Sequence, residues 1–189
     1  ALAEYLELIE RFASNENVEG HIIDVIDTAL RLSSELCHAE TTLELLRKRI
    51  RLGLRRGEDV NLDRLTFARL VLDQSPQKSE DLLQNALEEV EDVISEKPLD
   101  LAARNVLNRL LARKCLWKRL IDSLGAEIAI AKSTNDAIAL KEDLAMLYWL
   151  EMGDVSRAKS LFEVVVTSDP RKKHARSTLV SLYLEGGDG

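Results

Sequence analysis

The stretch LAMLYWLEMGDVSRAKSLFEVVVTSDP, residues 144–170, decides the fold of this chain. Its apolar residues recur every three or four positions on both sides of Gly153, which is the period of an amphipathic helix. Gly153 can adopt the left-handed conformation that ends a helix, and Asp154 can cap the next helix. Pro170 stops the second helix, because a proline pushes the residue before it out of the α region. The stretch therefore predicts two helices joined by a tight turn.

Landmarks of this stretch recur along the chain at a regular distance. Pro98 lies 72 residues before Pro170. Each of these prolines follows an alanine by 12 residues, Ala86 in the first case and Ala158 in the second. Half of the distance between the two prolines is close to the length of one helix–turn–helix unit. The distances therefore indicate an internal repeat. A unit of this size cannot bury its apolar face alone, and neighbouring units must therefore stack on one another.

The residues of 144–170 resemble the signature of the tetratricopeptide repeat. The first helix and the turn carry matching positions at Leu144, Leu147, Tyr148 and Gly153. The second helix carries the A-x3-F…P half of the signature at Ala158, Phe162 and Pro170. The same register returns at 179–188 and, more weakly, at 107–124, where Cys115 stands in place of the turn glycine. The resemblance implies an all-α fold, a right-handed superhelix (solenoid) of antiparallel helix pairs.

Apolar residues with helical spacing extend over almost the whole chain and predict ten helices. These are 2–13, 18–34, 38–55, 61–73, 79–96, 100–113, 116–132, 136–151, 155–168 and 172–184. Residues 79–188 carry the clearest repeats, whereas 1–78 carry degenerate ones in which the pairing of the helices stays open. We interpret 1–189 as a single helical-repeat domain. Because it opens in a helical pattern without Met, we expect it to be a fragment of a longer protein.

Composition narrows the classes of function. Apolar residues make up 46% of the chain and charged residues 31%, which suffices for a buried core. A formal net charge of −7 argues against a phosphate backbone as the main ligand. No window has the 18 or more apolar residues of a membrane span. Cys37 and Cys115 lack metal-ligand spacing, so we expect two small buried thiols in a reducing, cytoplasmic compartment.

No catalytic constellation emerges from the sequence. The three histidines, His21, His38 and His174, are scattered, and no residue pattern brings a nucleophile to a base. The glycines of LGLRRGED lack the spacing of a phosphate-binding loop. We therefore expect a protein that is not an enzyme and that has no cofactor and no metal.

The resemblance also implies a site, because the first helices of tetratricopeptide repeats line a concave groove that holds partner peptides. In the register of Tyr148 the groove positions are Asn105, Arg109, Arg113, Glu142, Met146 and Trp149. The same face of the last helix carries His174, Ser177 and Ser181. A methionine and a tryptophan beside arginines suit an extended or helical partner with apolar and acidic residues. Trp149 could equally pack between repeats, and Trp117, which follows a turn, is expected to be structural.

A second candidate surface is the run RKRIRLGLRR at 47–56, which carries six basic residues. Its alternative roles are a patch for nucleic acid or acidic peptide and an ordinary solvated face. In the second case Arg47, Arg51 and Arg55 lie on one side of the helix. The opposite side then points inward with Leu43, Leu46, Ile50 and Leu54. The acidic residues of 80–96 are a candidate counter-charge within the molecule.

The sequence therefore predicts a non-enzymatic scaffold that binds another protein or peptide in the groove of a solenoid. The alternative is a nucleic-acid or regulatory-ligand module that uses the basic helix 47–56, and a third option is an architectural spacer. Nucleic acid is the less expected partner, and no membrane is expected.

Circular dichroism tests the architecture. We expect a helix fraction of at least about two-thirds, because no strand-like window occurs in the sequence. A fraction near the globular average of about one-third would contradict the all-helical fold.

Overall fold

A computed structural model of the chain describes residues 1–12, 19–74 and 80–185. Within them ten helices and no strands are present. The helices are α1 (Leu2–Phe12), α2 (Glu19–Glu35), α3 (Ala39–Arg55), α4 (Asn61–Asp73), α5 (Glu80–Glu96), α6 (Leu101–Arg113), α7 (Trp117–Ile130), α8 (Thr134–Leu150), α9 (Val155–Ser168) and α10 (Lys173–Glu185).

The predicted helices are confirmed to within two residues at each end. The predicted end at 13, the predicted starts at 18 and 79, and the last residues of the 179–188 repeat lie outside the described residues. Several boundaries were predictable because they coincide with a glycine, a proline or a capping residue. Asp154, for example, accepts a hydrogen bond from the backbone N–H of Arg157 (3.0 Å), as an N-cap does.

The helices divide into two compact units, Ala1–Leu110 and Leu111–Gly189, with the boundary inside α6. In the first unit α1 packs on α2, α2 on α3, α3 on α4, and α4 on α5. In the second unit α7 packs on α8, α8 on α9, and α9 on α10. Helices that follow one another through short connectors and pack side by side run antiparallel. The single-domain interpretation of 1–189 stays a prediction.

The pairing in the amino-terminal part, which the sequence left open, follows from these contacts. Within the first unit, the extent of contact indicates that α2 and α4 are the first helices of the pairs. Helix α2 contacts α3 more extensively than α1, and α4 contacts α5 more extensively than α3. Helix α1 therefore has the position of a second helix that precedes the pair α2–α3.

Each unit contains an apolar core. In the first unit it joins α1, α2 and α3 through Ile9, Ile22, Ile23, Ile26, Ala29, Leu45 and Leu52. In the second unit it joins α8, α9 and α10 through Ile138, Ala145, Ala158, Phe162, Val165, Ala175 and Leu182. Ala158 and Phe162 are both completely buried, as the repeat signature predicts. Each of the three helices contributes an alanine here, and small side chains let the helix backbones approach closely.

Two of the helix-ending turns contain a cysteine in the left-handed region. Cys37 has φ 55° and Cys115 has φ 53°, in the same region as the turn glycines Gly57 and Gly153. The backbone N–H of Leu116 closes the turn on the Leu111 carbonyl at 2.9 Å. The expectation that Cys115 replaces a turn glycine is thus confirmed. The expectation of buried thiols is wrong, because both cysteines lie where the chain leaves a helix and are exposed.

Replacing Ala158 by leucine tests the close helix contact. Ala158→Leu adds bulk where no space exists and should lower the free energy of unfolding by about 1–3 kcal/mol, as measured by urea melts. Ala139→Leu, the same change at an exposed position of α8, is the matched control and should change stability little. Coincident melts of the two variants would contradict the packing described above.

The positive φ of Cys115 leads us to expect that glycine is more stable than alanine at this position. Cys115→Gly should be about 1 kcal/mol more stable than Cys115→Ala in thermal or urea melts, because only glycine adopts positive φ without steric cost. At Ala126, an exposed helical position of α7, glycine should instead be less stable than alanine by a similar amount. The same sign at both positions would argue against the turn conformation.

Candidate partner-binding site

The six predicted groove residues fall in both units. Asn105 and Arg109 are residues of α6 in the first unit; Asn105 is exposed, and the side chain of Arg109 is 51% exposed. Arg113, the last residue of α6, is exposed and belongs to the second unit. Glu142, Met146 and Trp149 lie on α8 in the second unit, and all three are half-buried.

Within the first unit, Arg109 reaches back to the end of α4. Its Nη2 lies 3.5 Å from Oδ1 of Asp73, and both side chains are largely exposed. Exposed ion pairs of this kind stabilise a fold by only about 0–1 kcal/mol. The ion pair with Asp73 therefore adds little to stability, and the Arg109 side chain stays largely exposed.

Within the second unit, Glu142 is held by a contact that the sequence did not reveal. Lys172, just before α10, donates a hydrogen bond from Nζ to Oε2 of Glu142 at 2.6 Å. Nδ1 of His174 lies 3.9 Å from the other carboxylate oxygen. The hydrogen bond to Glu142 raises the pKa of Lys172, so the lysine is charged at neutral pH and neutralises the carboxylate. Glu142 thus ties α8 to the start of α10 rather than offering an open negative charge.

Met146 and Trp149 have a double role in the second unit. Both pack against the core that α8, α9 and α10 share, and both keep part of their surface accessible. On α10, His174, Ser177 and Ser181 are exposed at spacings of three and four residues and form a small polar strip. We name the accessible side of α8 and α10 the inner face of the second unit; its residues are Glu142, Met146, Trp149, His174, Ser177 and Ser181.

The basic helix α3 is largely engaged inside the first unit. The guanidinium of Arg47 lies over the ring of Phe67, 5.3 Å from its centroid. Arg49 pairs with Asp27 at 3.0 Å and with Glu58 at 3.1 Å. Arg51 and Arg55 are exposed and line a cavity of about 200 Å³ together with apolar residues of α1 and α2.

The apolar side of α3 departs from its prediction at one position. Leu43, Leu46 and Ile50 are buried as expected, but Leu54 is 48% exposed. The neighbouring Gly53 faces inward instead. Its backbone lies so close to Val60 that a Cβ added there would come within 2.4 Å of the valine side chain. The helix therefore turns a glycine, not a leucine, toward the start of α4.

Three of the acidic residues of α5 surround a buried arginine that the sequence analysis missed. Arg64 of α4 lies 2.9 Å from Glu89, 3.0 Å from Asp92 and 3.7 Å from Glu96. Burial raises the pKa of Glu89 although Arg64 opposes the shift, so desolvation outweighs the attraction at this carboxyl. The signal was available, because Arg64 has helical spacing with the buried residues Val60, Ala68 and Val71. This cluster joins α4 to α5 and is structural.

Metal sites and membrane spans are two further classes of feature that bear on function. The described residues contain no group of three or more histidine, cysteine or acidic side chains placed to hold a metal ion. None of the described helices is long and apolar enough to cross a membrane.

Comparison with known proteins identifies the fold. No protein-family model matches the sequence, and no curated protein matches it. Among solved structures, the chain is similar to the MamA protein, with a TM-score of 0.62, 14% identity, and coverage of 89% of this chain and 84% of that one. It is also similar to a thermophilic TPR protein of Thermus thermophilus, with a TM-score of 0.51, 16% identity, and coverage of 97% and 100%. The chain therefore has a tetratricopeptide-like helical repeat fold.

We expect the loss of the Arg64 side chain to lower the stability of the fold strongly. Arg64→Ala removes the cation from three carboxylates and should lower the free energy of unfolding by about 2–4 kcal/mol in urea melts. Arg69→Ala, at an exposed position of the same helix, should cost less than about 0.5 kcal/mol. Equal effects of the two changes would show that the Arg64 cluster does not join α4 to α5.

Proposed function

We propose that this chain is a non-enzymatic scaffold that holds a partner protein or peptide on the inner faces of its first helices. The contact of Glu142 with Lys172 and His174 carries this proposal, because it brings the exposed strip of α10 beside α8. The signature residues of the repeat, Ala158 and Phe162, are buried in the core, whereas Ser177 and Ser181 are exposed. The tetratricopeptide-like fold supports the same class of function.

The chemistry of the inner face indicates the kind of partner. The inner face combines two exposed serines with the half-buried Trp149 and Met146, which favours an apolar side chain of an extended segment. Because Lys172 neutralises Glu142, the face does not repel acidic residues through that carboxylate. Arg113 in the second unit, and Asn105 and Arg109 in the first, add accessible polar and cationic side chains. A segment that combines apolar and acidic residues fits each of these surfaces.

Nucleic-acid binding through α3 has less support. Arg47 and Arg49 are engaged by Phe67, Asp27 and Glu58. The formal net charge of −7 also opposes association with a phosphate backbone. A reducing compartment such as the cytoplasm suits the two exposed, free cysteines, and we place the scaffold there.

The test begins with a pull-down that uses the full chain, followed by affinity measurements on the recovered partner. Ser181→Arg should weaken binding by about tenfold or more, because a bulky side chain would fill the inner face of the second unit. Ser156→Arg is the matched control at an exposed position of α9 and should bind normally. Arg109→Ala tests the first unit in the same assay.

The same measurements distinguish the alternative surface. If Arg51→Ala abolishes binding while Ser181→Arg and Arg109→Ala bind normally, the site lies on α3 and the proposal is wrong. Salt gives a second criterion, since a phosphate-driven partner loses affinity steeply with salt and an apolar peptide does not.

A further inference from the structure

A second concave surface lies in the second unit. Its lining is Cys115, Leu116, Trp117, Lys118, Arg119 and Met152, and its volume is about 330 Å³. We name it the turn cup, because its walls come from the α6–α7 turn, the start of α7 and the α8–α9 turn. No residue of the inner face lines it, and the proposed function does not use it.

Both walls of the turn cup are fixed by a residue with positive φ. Cys115 (φ 53°) ends α6, and the bond from the Leu116 N–H to the Leu111 carbonyl sets Trp117 as the first residue of α7. On the other side, Gly153 (φ 64°) ends the turn in which Met152 lies. The Met152 N–H donates to the Leu147 carbonyl at 3.2 Å. The cup is therefore preformed by the backbone, which lowers the entropic cost of binding.

The turn cup is apolar and open to solvent. Trp117 is half-buried, and Met152 is 38% exposed. The same α8–α9 turn also exposes Leu150 at 58% and Val155 at 38%. A tryptophan and a methionine that share an accessible concavity are typical of sites that receive an apolar side chain.

The charge around the turn cup has the opposite sign to that of the whole chain. Residues 113–119, RKCLWKR, contain four basic residues among seven, in a protein with a formal net charge of −7. Lys118 and Arg119 belong to the lining itself, and both keep accessible surface. No acidic residue occurs between Asp100 and Asp122, so the segment that forms the α6–α7 wall of the turn cup is basic, whereas the α8–α9 turn carries Glu151. Electrostatic complementarity then favours an acidic occupant.

We propose that the turn cup docks a segment of a partner protein in which one bulky apolar side chain is flanked by Asp or Glu residues. The apolar side chain enters between Trp117 and Met152, and the flanking carboxylates face Lys118 and Arg119. The concave shape favours a single side chain over a membrane, which would need protruding apolar groups. It also lacks the row of aromatic residues on which successive bases of a nucleic acid stack.

Synthetic peptides test this proposal with a defined probe. The probe has one central phenylalanine between pairs of glutamates and carries a fluorescent label for anisotropy measurements on the wild-type chain. We expect saturable binding with a Kd below about 1 mM. Replacing the phenylalanine of the peptide by serine, or its glutamates by glutamines, should weaken binding by about tenfold. In a Trp149→Phe protein, the remaining tryptophan fluorescence comes from Trp117 and should change on binding.

Variants of the protein assign the binding to the turn cup. Met152→Ser and Lys118→Glu change accessible side chains and should each weaken binding by about tenfold without lowering the melting temperature. Lys132→Glu, an equal change of charge at an exposed position beyond α7, should bind normally. Ser181→Arg should also bind normally, so that failure here and failure of the inner-face proposal are distinguishable.

Three results would overturn the proposal. One is the absence of binding up to about 1 mM probe. Another is unchanged binding by Met152→Ser and Lys118→Glu. The third is a response of Trp117 fluorescence to vesicles of anionic lipid or to single-stranded RNA, but not to the peptide.

Discussion

The close contact of helices α8, α9 and α10 is the constraint on which the second unit depends. Ala145, Ala158 and Ala175 are completely buried in the core that joins the three helices, and small side chains there let the backbones approach. Phe162 fills the remaining space and is also completely buried. Burial of a side chain of this size stabilises a fold by about 1.5–3 kcal/mol. The same helices also carry side chains with accessible surface, among them Met146 and Trp149 on α8 and Ser177 and Ser181 on α10.

Two polar contacts hold helices together in addition to the apolar packing. Lys172 holds Glu142 and thereby sets the start of α10 against α8. Arg64 gathers Glu89, Asp92 and Glu96 and joins α4 to α5 in the first unit. Side chains that look like solvated charges in the sequence thus hold neighbouring helices together. These contacts also occupy charges, so the carboxylate of Glu142 is paired with Lys172 rather than open.

The sequence was sufficient to predict the helices, the turn at Cys115 and the burial of Ala158 and Phe162. The spacing of apolar residues, the helix-ending residues and the repeat signature are all local properties of a sequence. The partners of Glu142 and Arg64 could not, since they lie 30 and 25–32 residues away and depend on how the helices pack. The exposure of Cys37 and Cys115 was missed because cysteine is usually a buried residue. In this chain both cysteines lie in turns that end helices, and these turns are at the surface. The place of Trp117 in a cup was missed because its companion, Met152, belongs to another turn.

We propose that a partner lies on the inner face of the second unit. Nuclear magnetic resonance spectra of the isotope-labelled full chain, recorded during titration with the partner recovered by pull-down, test it most directly. We expect the largest chemical-shift changes at Ser177 and Ser181 and at the methyl group of Met146, while Ser156 and Ser160 on α9 stay unchanged. Changes centred on Arg51 and its neighbours, with none on α8 and α10, would contradict it.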